Sequence, residues 1–220
     1  ANRLSADPAV KVLLLEAGPA DRSWEIDMPS GIGRLLGSEK FNWNYVSEPE
    51  PYLDGRRLTH PRGRVLGGSS SINGMMYVRG HARDYDRWGQ SGNRGWSYAD
   101  VLPYFRRAET HQKGGDPYHG KDGPLRVSTA DGAEGPLKDA FIQAGIQAGY
   151  PYTPDCNGAQ QEGFGPCDRT THGGKRWSTA RGYLDPARAR SNLAIVTGAL
   201  ALEVMLEGTR ATGVVYGIGN

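Results

Sequence analysis

The sequence predicts an α/β fold, and three observations carry that expectation. Val12, Leu13, Leu14 and Leu15 form a short continuous apolar run closed by Glu16, Ala17 and Gly18, the pattern of a buried parallel strand. Residues 63–80 combine a basic glycine turn, the serine cluster Ser69, Ser70 and Ser71, and an apolar segment carrying Asn73. Between these and three strand-like runs at the C-terminal end lie helical patterns with recognisable start and stop residues.

Residues 1–7 read as the tail of a helix stopped by Pro8. The strand after them ends in an acid, and in a dinucleotide-binding βαβ unit that acid hydrogen-bonds the ribose. Glu16 occupies that place, or else it is a surface acid at a strand end, because the pattern also needs its glycine turn. Such a turn belongs some twenty residues upstream, and fifteen residues precede Glu16. The expectation is therefore a chain that begins inside a crossover helix, a fragment of something longer.

Residues 28–36 read as a short helix or loop, followed by the aromatic pair Trp43 and Tyr45 and a proline-bearing stretch. At Gly67 and Gly68 the backbone is free to take positive φ and approach a ligand, and Ser69 or Ser70 is placed to cap a helix whose first N–H groups would face an anion. Residues 82–88 form a short helix, and Ser97 caps another through Ala108, with Pro103 near its first turn. Residues 111–123, polar and glycine-rich, read as a linker and domain boundary. Residues 125–127 read as a strand. Pro136 and Gly149 frame a helix that turns Phe141, Ile142 and Ile146 inward. Residues 158–174 read as an extended loop, and Ser178 opens the helix 179–184. Residues 193–196, 201–206 and 211–216 read as a β-meander turning at Gly208.

Composition narrows the class. With 32 glycines, 14 prolines and a mean hydropathy of −0.59, the 220 residues suit a loop-rich enzyme better than a helical bundle. No apolar run approaches the ~18 residues of a membrane span. The net charge is +2, and the arginines are scattered rather than striped, which argues against nucleic acid. Cys156 and Cys167 fit no zinc spacing and read as two free thiols in a reducing compartment; the five histidines are dispersed, and no metal is expected.

Taken together, Leu15 to Gly18 and the positions Gly63, Arg64, Leu66, Gly67, Gly68, Ser69, Ser70, Ile72, Asn73, Tyr77, Gly80 and Asp86 resemble the glucose–methanol–choline (GMC) flavin oxidoreductases. Asn42 to Tyr45, Trp96 to Tyr98, Leu102 to Thr110, Tyr118 to Gly120, Gln160 to Pro166 and Ser178 to Asp185 are most similar to the bacterial choline-dehydrogenase branch. The resemblance covers essentially the whole chain and the N-terminal part of such an enzyme.

It implies an FAD-binding, Rossmann-like α/β domain, interleaved with a substrate-binding region and incomplete at both ends. Residues 1–30, 60–110 and 190–220 would belong to the FAD-binding domain, and residues 31–59 and 111–189 to the substrate side. Glu16 would hold the adenosine ribose of FAD; Val65, Gly67, Gly68, Ser69, Asn73, Gly74, Met75 and Met76 would meet its flavin end; Val204 would contact the adenine through its main chain. Some members carry a histidine where this chain has Ile72 and bond it to the flavin, so FAD is expected to be noncovalent. The implied reaction is oxidation of a primary alcohol, choline to betaine aldehyde, by hydride transfer to flavin N5 and onward to an acceptor other than a nicotinamide. The proton-accepting His pair would lie beyond Asn220, so no residue here is named catalytic. The alternatives are another alcohol substrate, a lyase with redox-silent FAD, or an inactive truncated chain. The expected location is cytoplasmic, with peripheral association at the inner membrane left open.

Overall fold

A computed structural model describes residues 1–129 and 135–219. In chain order the main elements are β1 (Val12–Glu16), α1 (Trp24–Asp27), α2 (Ile32–Leu36), β2 (Tyr45–Val46), β3 (Thr59–His60), α3 (Ala82–Gln90), α4 (Tyr98–Ala108) and β4 (Glu109–His111). There follow β5 (Leu125–Thr129), α5 (Pro136–Gln147), β6 (Asp168–Arg169), β7 (Thr171–His172), β8 (Lys175–Arg176), β9 (Leu193–Thr197), β10 (Ala199–Glu207) and β11 (Arg210–Ile218). The chain divides into two compact units, one of residues 1–74 and 174–220, the other of residues 75–173.

In the first unit the apolar run becomes β1, and its partner is β9, parallel, from Val12 opposite Leu193 to Glu16 opposite Thr197. Val12, Leu14 and Ile195 lean on a buried cluster of Leu66, Ala180, Leu184, Ala187 and Leu193. A second cluster joins Ile26, Leu35, Phe41, Val65 and Ile72. Residues 65–72 feed both clusters, so the glycine–serine run is fixed by apolar packing on two sides.

The C-terminal runs are not a meander. Gly198, at φ 67°, turns the chain after β9, and among the described residues β10 pairs with β11 alone, as an antiparallel ribbon. β9 is taken by β1 instead, a pairing far away in sequence.

In the second unit β4 and β5 run parallel and β6 pairs antiparallel with β5. The helix α4 starts at a reciprocal capping box of Ser97 and Asp100, and Pro103 lies inside it. Tyr85, on α3, sets its ring against Trp88 and against Phe105 of α4. The stretch 111–123 is no linker: His111 and His119 are buried, because both join an internal polar network. On α5 only Ile142 of the three expected residues is buried. Gly145 makes that face, packed so closely on the Phe164 ring that a Cβ would sit 2.3 Å from it; Phe141 and Ile146 are exposed. The expected loop 158–174 contains β7 and also β6, which is recruited by the distant β5. Among the described residues no helix is long and apolar enough to cross a membrane.

Candidate cofactor site

β1 delivers Glu16 to the edge of a cavity of about 320 Å³, lined among others by Leu66, Gly67, Thr179, Ala180 and Tyr183. The Gly18 N–H donates to Glu16 Oε1 at 2.8 Å, which holds the carboxylate at the strand end. Burial pushes the Glu16 carboxyl above its usual range, against the Gly18 N–H and the Arg64 charge, which pull it down. Oε2 has no partner among the described residues.

The strand end and the glycine–serine run are locked together by backbone contact. A Cβ on Gly18 would lie 1.8 Å from the Arg64 carbonyl oxygen. The Leu66 N–H donates to Pro19 O at 3.1 Å, and the Gly198 N–H donates to Gly18 O at 3.0 Å. This is the close approach that only glycine permits.

The run itself is a tight turn. Gly67 and Gly68 both have positive φ, 88° and 56°, and Gly68 to Ser71 form a single 3₁₀ turn. No serine caps it. Ser69 Oγ accepts from the Gly63 N–H, Ser71 Oγ donates to Leu66 O, and Ser70 Oγ donates to Gly67 O while accepting from the Thr179 N–H. The hydroxyls are spent on the loop's own backbone and, for Ser70, on Thr179, so the expected helix N-terminus with outward N–H groups does not form.

Of the residues expected to bind cofactor, Glu16 and Gly67 line one cavity. Gly68 has open space where a Cβ would point, and Ser69, Asn73 and Gly74 are exposed. Val65 is buried in the apolar cluster and has only its backbone to offer a ligand. The chain passes from one unit to the other between Gly74 and Met75. Met75 is buried with φ 62°, its carbonyl accepting from the Thr170 N–H, and Met76 is half exposed. Val204 is exposed on β10 opposite Val214 and does not line the cavity of Glu16.

One site residue escaped the sequence reading. Arg176 is buried against the same turn, its Nη1 donating to Asn73 O at 2.6 Å and to Asn73 Oδ1 at 3.0 Å. An arginine beside Lys175 reads as surface charge; nothing local marks it as core.

In the second unit, Glu109, His119, Asp155 and Arg79 form a buried ion network. His119 Nδ1 meets Glu109 Oε1 at 2.8 Å and Nε2 meets Asp155 Oδ2 at 2.9 Å, while Arg79 Nη2 lies 2.8 Å from Glu109 Oε1. Burial alone would lower the imidazole pKa; its bonds to the two carboxylates instead lift it to about 9. Burial would likewise raise Glu109, but His119 and Arg79 hold it below its ordinary value. His111, His119 and Asp168, and separately Asp116, His119 and Asp155, place ligand atoms within 4.8 Å of one another. Both nitrogens of His119, shared by the two groups, are engaged with carboxylates, which makes the network an ion cluster.

The description GMC oxidoreductase matches residues 11–220. The chain belongs to the GMC oxidoreductase family. It is 53% identical over 224 residues to the oxygen-dependent choline dehydrogenase of Burkholderia multivorans, covering 100% of this chain and 40% of that protein. Among solved structures it is similar to pyridoxine 4-oxidase from Mesorbium loti, with TM-score 0.92 and 36% identity over 98% of this chain and 42% of that one. It is also similar to an FAD-dependent oxidoreductase from Chaetomium thermophilum, with TM-score 0.88 and 30% identity over 98% of this chain and 39% of that one. The chain thus spans about two fifths of the length of these GMC relatives. The expected α/β FAD-binding architecture of the family is borne out.

The residues present fit FAD. A strand-end carboxylate with one oxygen unpartnered is an acceptor for a ribose hydroxyl, and a left-handed glycine pair leaves room beside it.

Proposed function

We propose that this chain holds FAD in an enzyme that oxidises a primary alcohol, choline to betaine aldehyde. The observation that carries the reading is the joining of Glu16 and Gly67 on one cavity by the Gly18–Arg64 contact. The 53% identity to a protein named choline dehydrogenase supports choline over other alcohols.

In this reading Glu16 accepts from the adenosine ribose. Gly67 and Gly68 keep side chains out of the cofactor's path, while Val65 and residues 73–76 offer backbone and amide groups to the isoalloxazine edge. The Ser69, Ser70 and Ser71 hydroxyls hold that backbone in shape before any ligand arrives, the preorganisation that keeps binding from costing loop entropy. Val204 contacts the adenine through its main chain. FAD, when bound, supplies acceptance of a hydride from the alcohol carbon. With Ile72 inside the apolar cluster, no side chain there bonds to the flavin.

Anaerobic addition of choline to the holoprotein tests this. Bleaching of the oxidised-flavin absorbance supports it; absence of bleaching with any alcohol overturns it, leaving FAD redox-silent. Bleaching by other primary alcohols but not choline keeps the reaction and corrects the substrate.

A further inference from the structure

Arg176 is 1% exposed, the largest of the fully buried side chains. Its Nε donates to Ile26 O at 3.0 Å, and Nη1 reaches Asn73 O, Asn73 Oδ1 and Ser70 O at 2.6, 3.0 and 3.4 Å. Nη2 is buried without a hydrogen-bond partner among the described residues. No carboxylate pairs with Arg176 among the described residues, whereas Arg79 has Glu109, Arg181 has Asp27 and Arg188 has Asp21.

A lone buried charge is costly, and a neutral side chain could have filled this space. Burial pushes the guanidinium down to about 10, which leaves it charged at neutral pH. Its acceptors are concentrated on one turn, and that choice has a consequence for Asn73. A guanidinium can only donate, so the side-chain oxygen of Asn73 must face it and the NH₂ group must face elsewhere. The orientation of an amide that crystallography leaves ambiguous is here dictated by its partner.

We infer that Arg176 is a positioning residue for the flavin: it sets the Ser70–Asn73 turn, fixes which end of the Asn73 amide is presented, and places a buried positive charge beside the isoalloxazine. This rests on the reading that residues 65–76 meet the flavin end of FAD. Positive charge there favours the reduced, more negative flavin.

The test uses the holoenzyme and the substitutions Arg176→Lys, Arg176→Met, Asn73→Ala and the double Arg176→Lys/Asn73→Ala. Lysine keeps the charge but lacks the fork that spans Ile26, Ser70 and Asn73, so R176K should weaken FAD binding about tenfold and keep the midpoint potential. R176M should also lower the flavin midpoint potential by about 30 mV, a tenfold change in the two-electron equilibrium. The double variant should lose less FAD affinity than the product of the two single losses, because the Arg176–Asn73 Oδ1 bond is removed by both changes, while the bonds to Asn73 O, Ser70 O and Ile26 O are lost only with Arg176. An unchanged potential in R176M, FAD affinity within twofold of wild type in both Arg176 variants, or fully additive losses in the double variant would each overturn the proposal. In those cases an altered FAD affinity in N73A leaves the reading of residues 65–76 standing. If N73A itself binds FAD with unchanged affinity and spectrum, that reading fails and the proposal with it.

Discussion

Gly18 lies against Arg64 so closely that the two backbones share the space a side chain would need. A Cβ on Gly18 would fall 1.8 Å from the Arg64 carbonyl oxygen, 2.1 Å from its carbon and 2.6 Å from the Val65 nitrogen. None of these is the tip of a flexible side chain, so nothing nearby can yield. Gly18→Ala should cost about 3 kcal/mol or more of stability, at the upper end of overpacking, and the protein should purify without FAD. Gly33→Ala is the contrast. That glycine is inside α2 with nothing within 4 Å of a built Cβ, so alanine there should stabilise by up to about 1 kcal/mol. Urea denaturation of the two variants decides whether the contact or glycine content as such matters.

The ion network predicts a pH dependence with a definite sign. His119 has a folded pKa of about 9 against an ordinary 6.5. A folded value above the unfolded one means stability that is fully present below pH 6.5 and lost as pH rises through 9. The loss should be about 3 kcal/mol at most across that window. Glu109 and Asp155 are held low, so their contribution exists above their ordinary range and fades in acid. Melting temperature should therefore fall on both sides of a mildly acidic plateau, above the ordinary carboxylate range and below pH 6.5. His119→Gln should lower the plateau strongly, leaving Glu109 buried beside fewer donors, and should flatten the alkaline limb.

At α4 the capping box gives a smaller prediction. Ser97 Oγ accepts from the Asp100 N–H, and the Asp100 carboxylate accepts from the Ser97 N–H at 3.1 Å. Ser97→Ala removes one arm and should cost about 1 kcal/mol. Ser91→Ala, where an exposed hydroxyl donates to Arg87 O, should change stability by less than about 0.5 kcal/mol.

What the sequence disclosed and what it hid follow from the range of the forces involved. β1 was legible from its continuous apolar run, although only one face packs on the core and Leu13 is 52% exposed; Ser97 was legible because a cap is satisfied within three residues. The family motif made Glu16 and Gly67 candidates, and the fold places both on one cavity. The stretch 111–123 misled because its polarity is spent inward. Glu109 and Asp155, 10 and 36 residues from His119, neutralise it, and no local pattern announces such partners. The serines misled in another way: of the two that look like caps, Ser69 accepts from the Gly63 N–H and Ser70 donates to Gly67 O. Arg176 finds Asn73 across 103 residues. The meander failed because β9 had a better partner at the other end of the chain, where β1 completes its hydrogen bonds and its apolar face.

Ile72 bears on how FAD is held. Its side chain is 2% exposed among Ile26, Leu35, Phe41 and Val65 and offers no nucleophile. Acid precipitation of the holoprotein should leave all the yellow colour in the supernatant; flavin fluorescence remaining with the washed pellet would contradict this. Ile72→Ala should cost about 2–5 kcal/mol, the range for emptying a packed apolar site.

The sharpest test of the cavity is Glu16→Gln. Glutamine keeps the size and can still accept from the Gly18 N–H, so the strand end should hold its shape. What changes is the charge of the acceptor offered to the ribose. A hydrogen bond to a charged group contributes about 1.5–3 kcal/mol, which corresponds to roughly a 10- to 150-fold weaker FAD dissociation constant. Burial already pushes the Glu16 carboxyl upward, so the wild-type protein should lose FAD affinity on acidification at a higher pH than an ordinary carboxylate would. The glutamine variant has no proton to gain there and should show a flat profile. Equilibrium dialysis of FAD between pH 5 and 8 reads both effects at once. Equal affinity in the two proteins at pH 8 would remove Glu16 from the cofactor site, and parallel pH profiles would assign the acid sensitivity to another group.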